Sequence, residues 1–311
     1  MRLQDLPHLH GVLVLPATIF DAQGEIDWQQ TRREIEFTIE CGATGVCFPC
    51  GIGEFRALTE EERKRLLELA VDTVNGRLPV VACGSGLSTK IAIMYHKHAR
   101  ENGCVCCMTM PPAMRPPAGP QQVFEHYAAL AEAVDIPIML HNLPAPVSWP
   151  MSADLCVRLF NEIELVNYIK EEAGDSLRTI PAIRKARPKY LKSLLSSDGG
   201  VHEVDDAMRG ADGTIVGPEI VDCHVQTWEA IEQGDIDRAW QLHRQYLPLN
   251  YFVELQRNII ACKEVLKRRG VITSTTCRTA GLDLFSAEDH RTLDALLKLV
   301  SPMFRIPLPT V

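Results

Sequence analysis

A chain of 311 residues with 46% hydrophobic content can bury a large core, as one large domain or two smaller ones. Its net charge of −8 and pI near 5.7 exclude the basic face that nucleic-acid binding needs. No apolar run reaches the ~18 residues of a spanning helix, so no membrane span is expected.

The first residues, Met1 to Pro7, lack the apolar stretch of a secretory signal. Eleven cysteines, an odd number without an export signal, read as reduced thiols of a cytoplasmic protein. From there a strand-then-helix pattern repeats. Gly11 to Pro16 is a strand, Ile26 to Cys41 a helix, and Gly45 to Pro49 the second strand. Thr59 with Glu62 three residues on forms a capping box that opens a helix to about Val74. Pro79 to Cys83 is the third strand and Ser88 to Asn102 a helix. Cys104 to Met108 is the fourth strand. Alternation sends Cys104 and Cys106 one way and Cys107 the other, which suits buried small hydrophobes better than a metal cluster. A proline-rich loop, Pro111 to Pro120, follows and reads as a rigid loop over a barrel mouth. Gln121 to Val134 is helical, Ile136 to His141 is the fifth strand, and Ser152 to Phe160 is a helix. Glu164 to Lys170 is the sixth strand, with a helix over Leu177 to Lys185. Tyr190 to Ser196 is the seventh, with a short helix from Glu203 to Met208, and Gly213 to Gly217 is the eighth.

Eight such units predict an α/β fold, a (β/α)8 TIM barrel over residues 8–218. A doubly wound sheet is the rival, but no Gly-x-Gly-x-x-Gly loop follows the first strand. Residues 219–311 read as the last barrel helix and a C-terminal helical subdomain, helical throughout with breaks near Gly234, Pro248 and Gly270.

Barrel enzymes carry their chemistry at the C-terminal ends of strands, and Lys170 stands at one. An amine held among apolar neighbours is pushed toward its neutral form, which can attack a ketone and form a Schiff base. The plain alternative is a lysine that is solvated, or paired with Glu171 or Glu172.

Four strand ends then line up: Cys50-Gly51-Ile52-Gly53-Glu54-Phe55, His141-Asn142-Leu143-Pro144, Lys170-Glu171-Glu172-Ala173-Gly174-Asp175, and Gly213-Thr214-Ile215-Val216-Gly217. Together they resemble the dihydrodipicolinate synthase / N-acetylneuraminate lyase family of class I aldolases. The resemblance implies that Lys170 forms a Schiff base with a 2-keto acid such as pyruvate or a keto-deoxy sugar acid. It implies no cofactor and no metal, and a homotetramer as the assembly. It also places His141 where the family has a proton-relaying tyrosine. An imidazole can do that work, or His141 is a bystander hydrogen-bonded at the barrel mouth.

The resemblance further puts Gly51 and Ile52 where hydroxyl residues usually hold the substrate carboxylate. There the amides of Gly51, Ile52 and Gly53 would act as a nest. Gly213 and Ile215 would line the wall. Asp198, after strand seven, would be a polar substrate contact or a turn former. Asp175 is expected to cap the following helix with its side chain, and Glu54 to pair within its own loop. Residues 144–147 carry no arginine, and the loop with Met114 and Arg115 no tyrosine, which argues against lysine biosynthesis. From other classes, a barrel that binds a metabolite or partner without turnover is the alternative. A metal-dependent aldolase built on His141 and Asp198 ranks last.

Overall fold

The computed structural model describes residues 3–112, 119–145, 147–282 and 285–309. Met114 and Arg115 of the proline-rich loop, and Pro146, lie outside the described residues. Eight strands close into a barrel in sequence order. They are β1 (Gly11–Val14), β2 (Gly45–Phe48), β3 (Val80–Cys83), β4 (Cys106–Thr109), β5 (Ile138–Asn142), β6 (Val166–Glu171), β7 (Ser193–Ser196) and β8 (Gly213–Val216). Every strand residue is buried, which is why the strands read as near-continuous apolar runs rather than alternating ones. The helices between and after them are α1 (Trp28–Glu40), α2 (Glu60–Val74), α3 (Thr89–Glu101), α4 (Pro120–Ala133), α5 (Ala153–Glu162), α6 (Ser176–Ala186), α7 (Glu203–Met208) and α8 (Val221–Glu232). Further helices follow: α9 (Ile236–Tyr251), α10 (Asn258–Arg268) and α11 (Ala287–Val300).

Helix starts follow the capping residues. Thr59 and Glu62 form the reciprocal box at α2, and Ser88 and Ser152 accept the first-turn amides of α3 and α5. Asp175 stands at the start of α6 but makes no side-chain cap. Its backbone carbonyl accepts the Arg178 and Thr179 amides, while its carboxylate lies 3.6 Å from Arg178.

The chain divides into two compact units. One comprises residues 1–10, 79–197 and 205–214, and the other 11–78, 198–204 and 215–311. In the first unit β3 through β8 pair in parallel. The β5–β6 register carries an irregularity: Ile138 faces Val166, but Met139 faces Tyr168, so Asn167 is an extra residue on β6. The Asn167 amide donates to the Glu164 and Tyr190 carbonyls at 2.9 and 3.0 Å.

In the second unit the expectation of helix throughout, with a break near Pro248, is corrected. Pro248 lies inside α9 rather than ending it. A wider π-type turn over Phe252–Arg257 leads into α10, and residues 269–282 form no helix. Gly234 and Gly270 do end helices, each with positive φ.

Candidate active site

The first unit brings three of the expected residues into one row across the sheet. His141 pairs with Lys170, Lys170 with Leu195, and Leu195 with Gly213. The extra residue at Asn167 sets this row. Without it Ile169, not Lys170, would stand opposite His141. Because partners in a parallel ladder point to the same side, His141 and Lys170 share a face.

Lys170 is buried, 3% exposed, at the C-terminal end of β6. Of the two readings of its surroundings, the pairing with Glu172 is present. Its Nζ lies 2.8 Å from Glu172 Oε1 and 3.2 Å from His141 Nε2. The same Glu172 oxygen lies 2.8 Å from His141 Nε2. Three polar atoms are thus in mutual contact, on side chains no more than 10% exposed. A ring nitrogen carries either a proton or a lone pair. With the proton on Nε2, His141 donates to Glu172. With Nε2 bare, it can accept from the lysine.

Burial works to raise the Glu172 carboxyl, but the Lys170 charge and the His141 hydrogen bond outweigh it and hold it well below the usual carboxylate range. Its neighbour behaves oppositely. Burial pushes the Glu171 carboxyl up to about 7, against hydrogen bonds from Asn142 Nδ2 at 2.7 Å and the Ala173 amide at 3.0 Å. Glu171 feels Cys156 of α5 and Asp206, on the helical side of the sheet. Asn142 in turn exchanges two hydrogen bonds with the Met151 backbone, tying the loop after β5 to Glu171.

Glu172 is the residue that sequence reasoning named only as a pairing partner. The signal was present: two residues beyond Lys170 on a strand is the same face. The strand also outlasts its assigned end, since the Glu172 amide bonds the Asn142 carbonyl at 2.9 Å.

In the second unit, Gly51, Ile52 and Gly53 form the turn after β2. The turn's own bonds come from the Glu54 amide to Gly51 and the Phe55 amide to Cys50. A side chain at Gly53 would come within 3.0 Å of Phe48 and 3.2 Å of the Pro16 carbonyl, a fit that favours glycine. Glu54 does not pair within the loop. Its buried carboxylate takes Lys263 of α10 at 2.7 Å and the Arg278 and Thr279 amides at 2.8 and 2.7 Å. Asp198 opens the turn after β7 with φ of 56°, and Ile215 is buried on β8. Among the described residues, no group of three or more His, Cys, Asp or Glu is placed to hold a metal ion.

The model of the dihydrodipicolinate synthetase family matches residues 8–299. The chain belongs to that family. As a member it is a lyase of the class I aldolase type on a TIM barrel. It is 28% identical to the L-2-keto-3-deoxyarabonate dehydratase of Azospirillum brasilense, over 88% of this chain and 89% of that one. It is 30% identical to 4-hydroxy-tetrahydrodipicolinate synthase 2 of Halalkalibacterium halodurans, over 86% and 90%. The crystal structure of dihydrodipicolinate synthase from Aquifex aeolicus superposes with a TM-score of 0.87 at 26% identity, covering 97% of this chain and all of that one. Among the described residues, no helix is long and apolar enough to cross a membrane.

Proposed function

We propose that this dihydrodipicolinate synthetase family member is a Schiff-base lyase. In this reading Lys170 attacks the keto carbon of a 2-keto acid, pyruvate or a keto-deoxy sugar acid, and the reaction is aldol cleavage, condensation or dehydration. The observation that carries it is a buried lysine at a strand's C-terminal end with an imidazole and a carboxylate in hydrogen-bond reach. His141 relays protons to and from the substrate. The amides of Gly51, Ile52 and Gly53 hold the substrate carboxylate, Gly213 and Ile215 form the wall, and Asp198 contacts a substrate hydroxyl. The iminium is itself the electron sink, so the reaction needs no cofactor or metal. The lack of an arginine at 144–147 and of a tyrosine in the loop with Met114 and Arg115 supports a keto-deoxy sugar acid over the lysine-pathway condensation. Similarity to the Azospirillum dehydratase supports the same choice.

The division follows the chain: residues 8–218 are the barrel that carries the chemistry, and 219–311 are the last barrel helix and a C-terminal helical subdomain. The assembly is a homotetramer. Eleven free cysteines, ten of them buried, suit a reducing cytoplasm. Light scattering that gives a monomer at micromolar concentration would end the tetramer reading.

Incubation with pyruvate and borohydride followed by mass spectrometry tests the Schiff base. A reduced adduct on Lys170 is expected. No adduct across a panel of 2-keto acids would turn the assignment to the silent barrel.

A further inference from the structure

We infer that Glu172 is a catalytic acid–base residue of this site, the group that takes the proton from Lys170 so the amine can attack and returns it to the departing oxygen. The inference rests on the reading of Lys170 as the nucleophile. Its own ground is geometric. Glu172 Oε1 touches the reacting nitrogen at 2.8 Å, inside a trio whose lysine and glutamate side chains are 4% and 10% exposed. Water has little access to an ammonium held there, so its proton needs an acceptor within the protein. Glu171, next in sequence, cannot serve. It lies on the other face, bonded to Asn142 and Ala173.

The proton count closes. The Lys170 ammonium gives one proton to Glu172, leaving a neutral amine and a carboxylic acid. The nitrogen lone pair forms the bond to the keto carbon, and the carbonyl pair moves to oxygen. A proton then passes from nitrogen to that oxygen through His141 Nε2, which gives the carbinolamine. Glu172 donates its proton to the hydroxyl, the C–O bond breaks, and water leaves. The iminium and the Glu172 carboxylate remain. Of the three ammonium protons, one stays on nitrogen and two leave in the water.

Charged and titratable groups facing Glu172 are Lys170 on its own strand and His141 on β5, with Glu171 near it and Asp206 near Glu171. An internal transfer from Lys170 to Glu172 leaves the net protonation unchanged. The rate of imine formation is therefore expected to be flat in pH. Without Glu172, the amine must lose its proton to solvent, and the rate should rise with pH.

The test is timed borohydride quenching after mixing with pyruvate, read by mass spectrometry on Lys170 between about pH 6 and pH 9. Wild type should be flat. Glu172→Gln should form the imine about 100-fold more slowly near pH 7 and gain a rise with pH. Glu172→Asp should recover part of the rate and the flat profile. The wild-type profile alone can sink the inference, if it rises with pH. A Gln variant with wild-type imine rate but slow turnover would make Glu172 a mere support for His141. A Gln variant with a flat, undiminished profile would give the proton to His141 instead. No adduct in wild type at long times is a different failure, that of Lys170 as nucleophile.

Discussion

Lys170 and Lys263 are both buried, and each lies against a glutamate, at 2.8 and 2.7 Å. Their surroundings differ in a way that separates chemistry from support. Lys263 donates to Glu54 and to the Thr276 carbonyl, with its amine 4.7 Å from the centre of the Phe20 ring. The second oxygen of Glu54 is filled by the Arg278 and Thr279 amides. Fixed donors and acceptors surround that pair, so its protons have one arrangement. At Lys170 the partner oxygen is shared with an imidazole, and the same three atoms accept more than one placement of a proton. A saturated buried pair holds segments together, here the turn after β2 and the stretch 276–279. One that includes a titratable third member can move protons.

The largest expected effect breaks the two pairs in turn. Lys170→Met should abolish adduct and turnover while leaving the protein folded, because His141 can still balance the Glu172 charge. Lys263→Met removes the cation paired with the buried Glu54, which should cost about 3–5 kcal/mol of stability. Denaturant titration of both variants measures the contrast. Equal stability losses would mean that the Lys170 trio is as structural as the other pair.

A second test uses the two adjacent glutamates. The Glu171 carboxyl is raised from 4.5 to about 7 in the fold. The folded state thus prefers it protonated. The stability this gives is present in full below about 4.5 and has gone once pH passes about 7. Relative to Glu171→Gln, wild type should lose roughly 3 kcal/mol across that window, an upper figure from ~1.4 kcal/mol per pH unit. Stability of the two proteins measured in parallel at several pH values reads the difference. No change with pH would place Glu171 ionised throughout.

Much of this architecture was legible before any coordinates. Thr59, Ser88 and Ser152 mark helix starts by local chemistry, and local chemistry is what a sequence displays. Strand ends were less legible. The fourth strand was expected from Cys104 and begins at Cys106, and the fifth was expected from Ile136 and begins at Ile138. Their limits depend on which neighbour each residue meets in the ladder, which is not local. Pro248 looked like a stop and is none, because packing overrides propensity in a long helix. The lysine and histidine were visible as motif positions. The partner of Glu54 was not, since 209 residues separate it from Lys263.

His141→Phe sharpens the comparison by removing the third member. Lys170 and Glu172 would remain a simple pair like Lys263 and Glu54. The adduct should still form, though more slowly because the nitrogen-to-oxygen proton transfer loses its carrier, while turnover should fall by about 100-fold, the usual worth of a positioned acid–base group. His141→Tyr should keep part of the turnover if the pocket admits the longer ring. Steady-state rates beside adduct trapping decide it. Wild-type turnover in the Phe variant would reduce His141 to a wall residue.

The smallest effect concerns what lines the trio up. Asn167 is the extra residue on β6, and its amide holds the Glu164 and Tyr190 carbonyls. Replacing it with Ala removes two hydrogen bonds from a residue 2% exposed, worth roughly 1–2 kcal/mol together. The ladder beyond, Lys170 opposite His141 and Glu171 opposite Asn142, has its own backbone bonds and should keep its register. Turnover should therefore drop less than about tenfold, since a small shift of a positioned nucleophile is felt but the trio survives. Thermal unfolding and adduct trapping on Asn167→Ala measure both parts. If stability is unchanged while trapping is lost, the side chain sets the register itself. If trapping and stability both hold, the backbone ladder alone carries the irregularity, and Asn167 only fills the space it leaves.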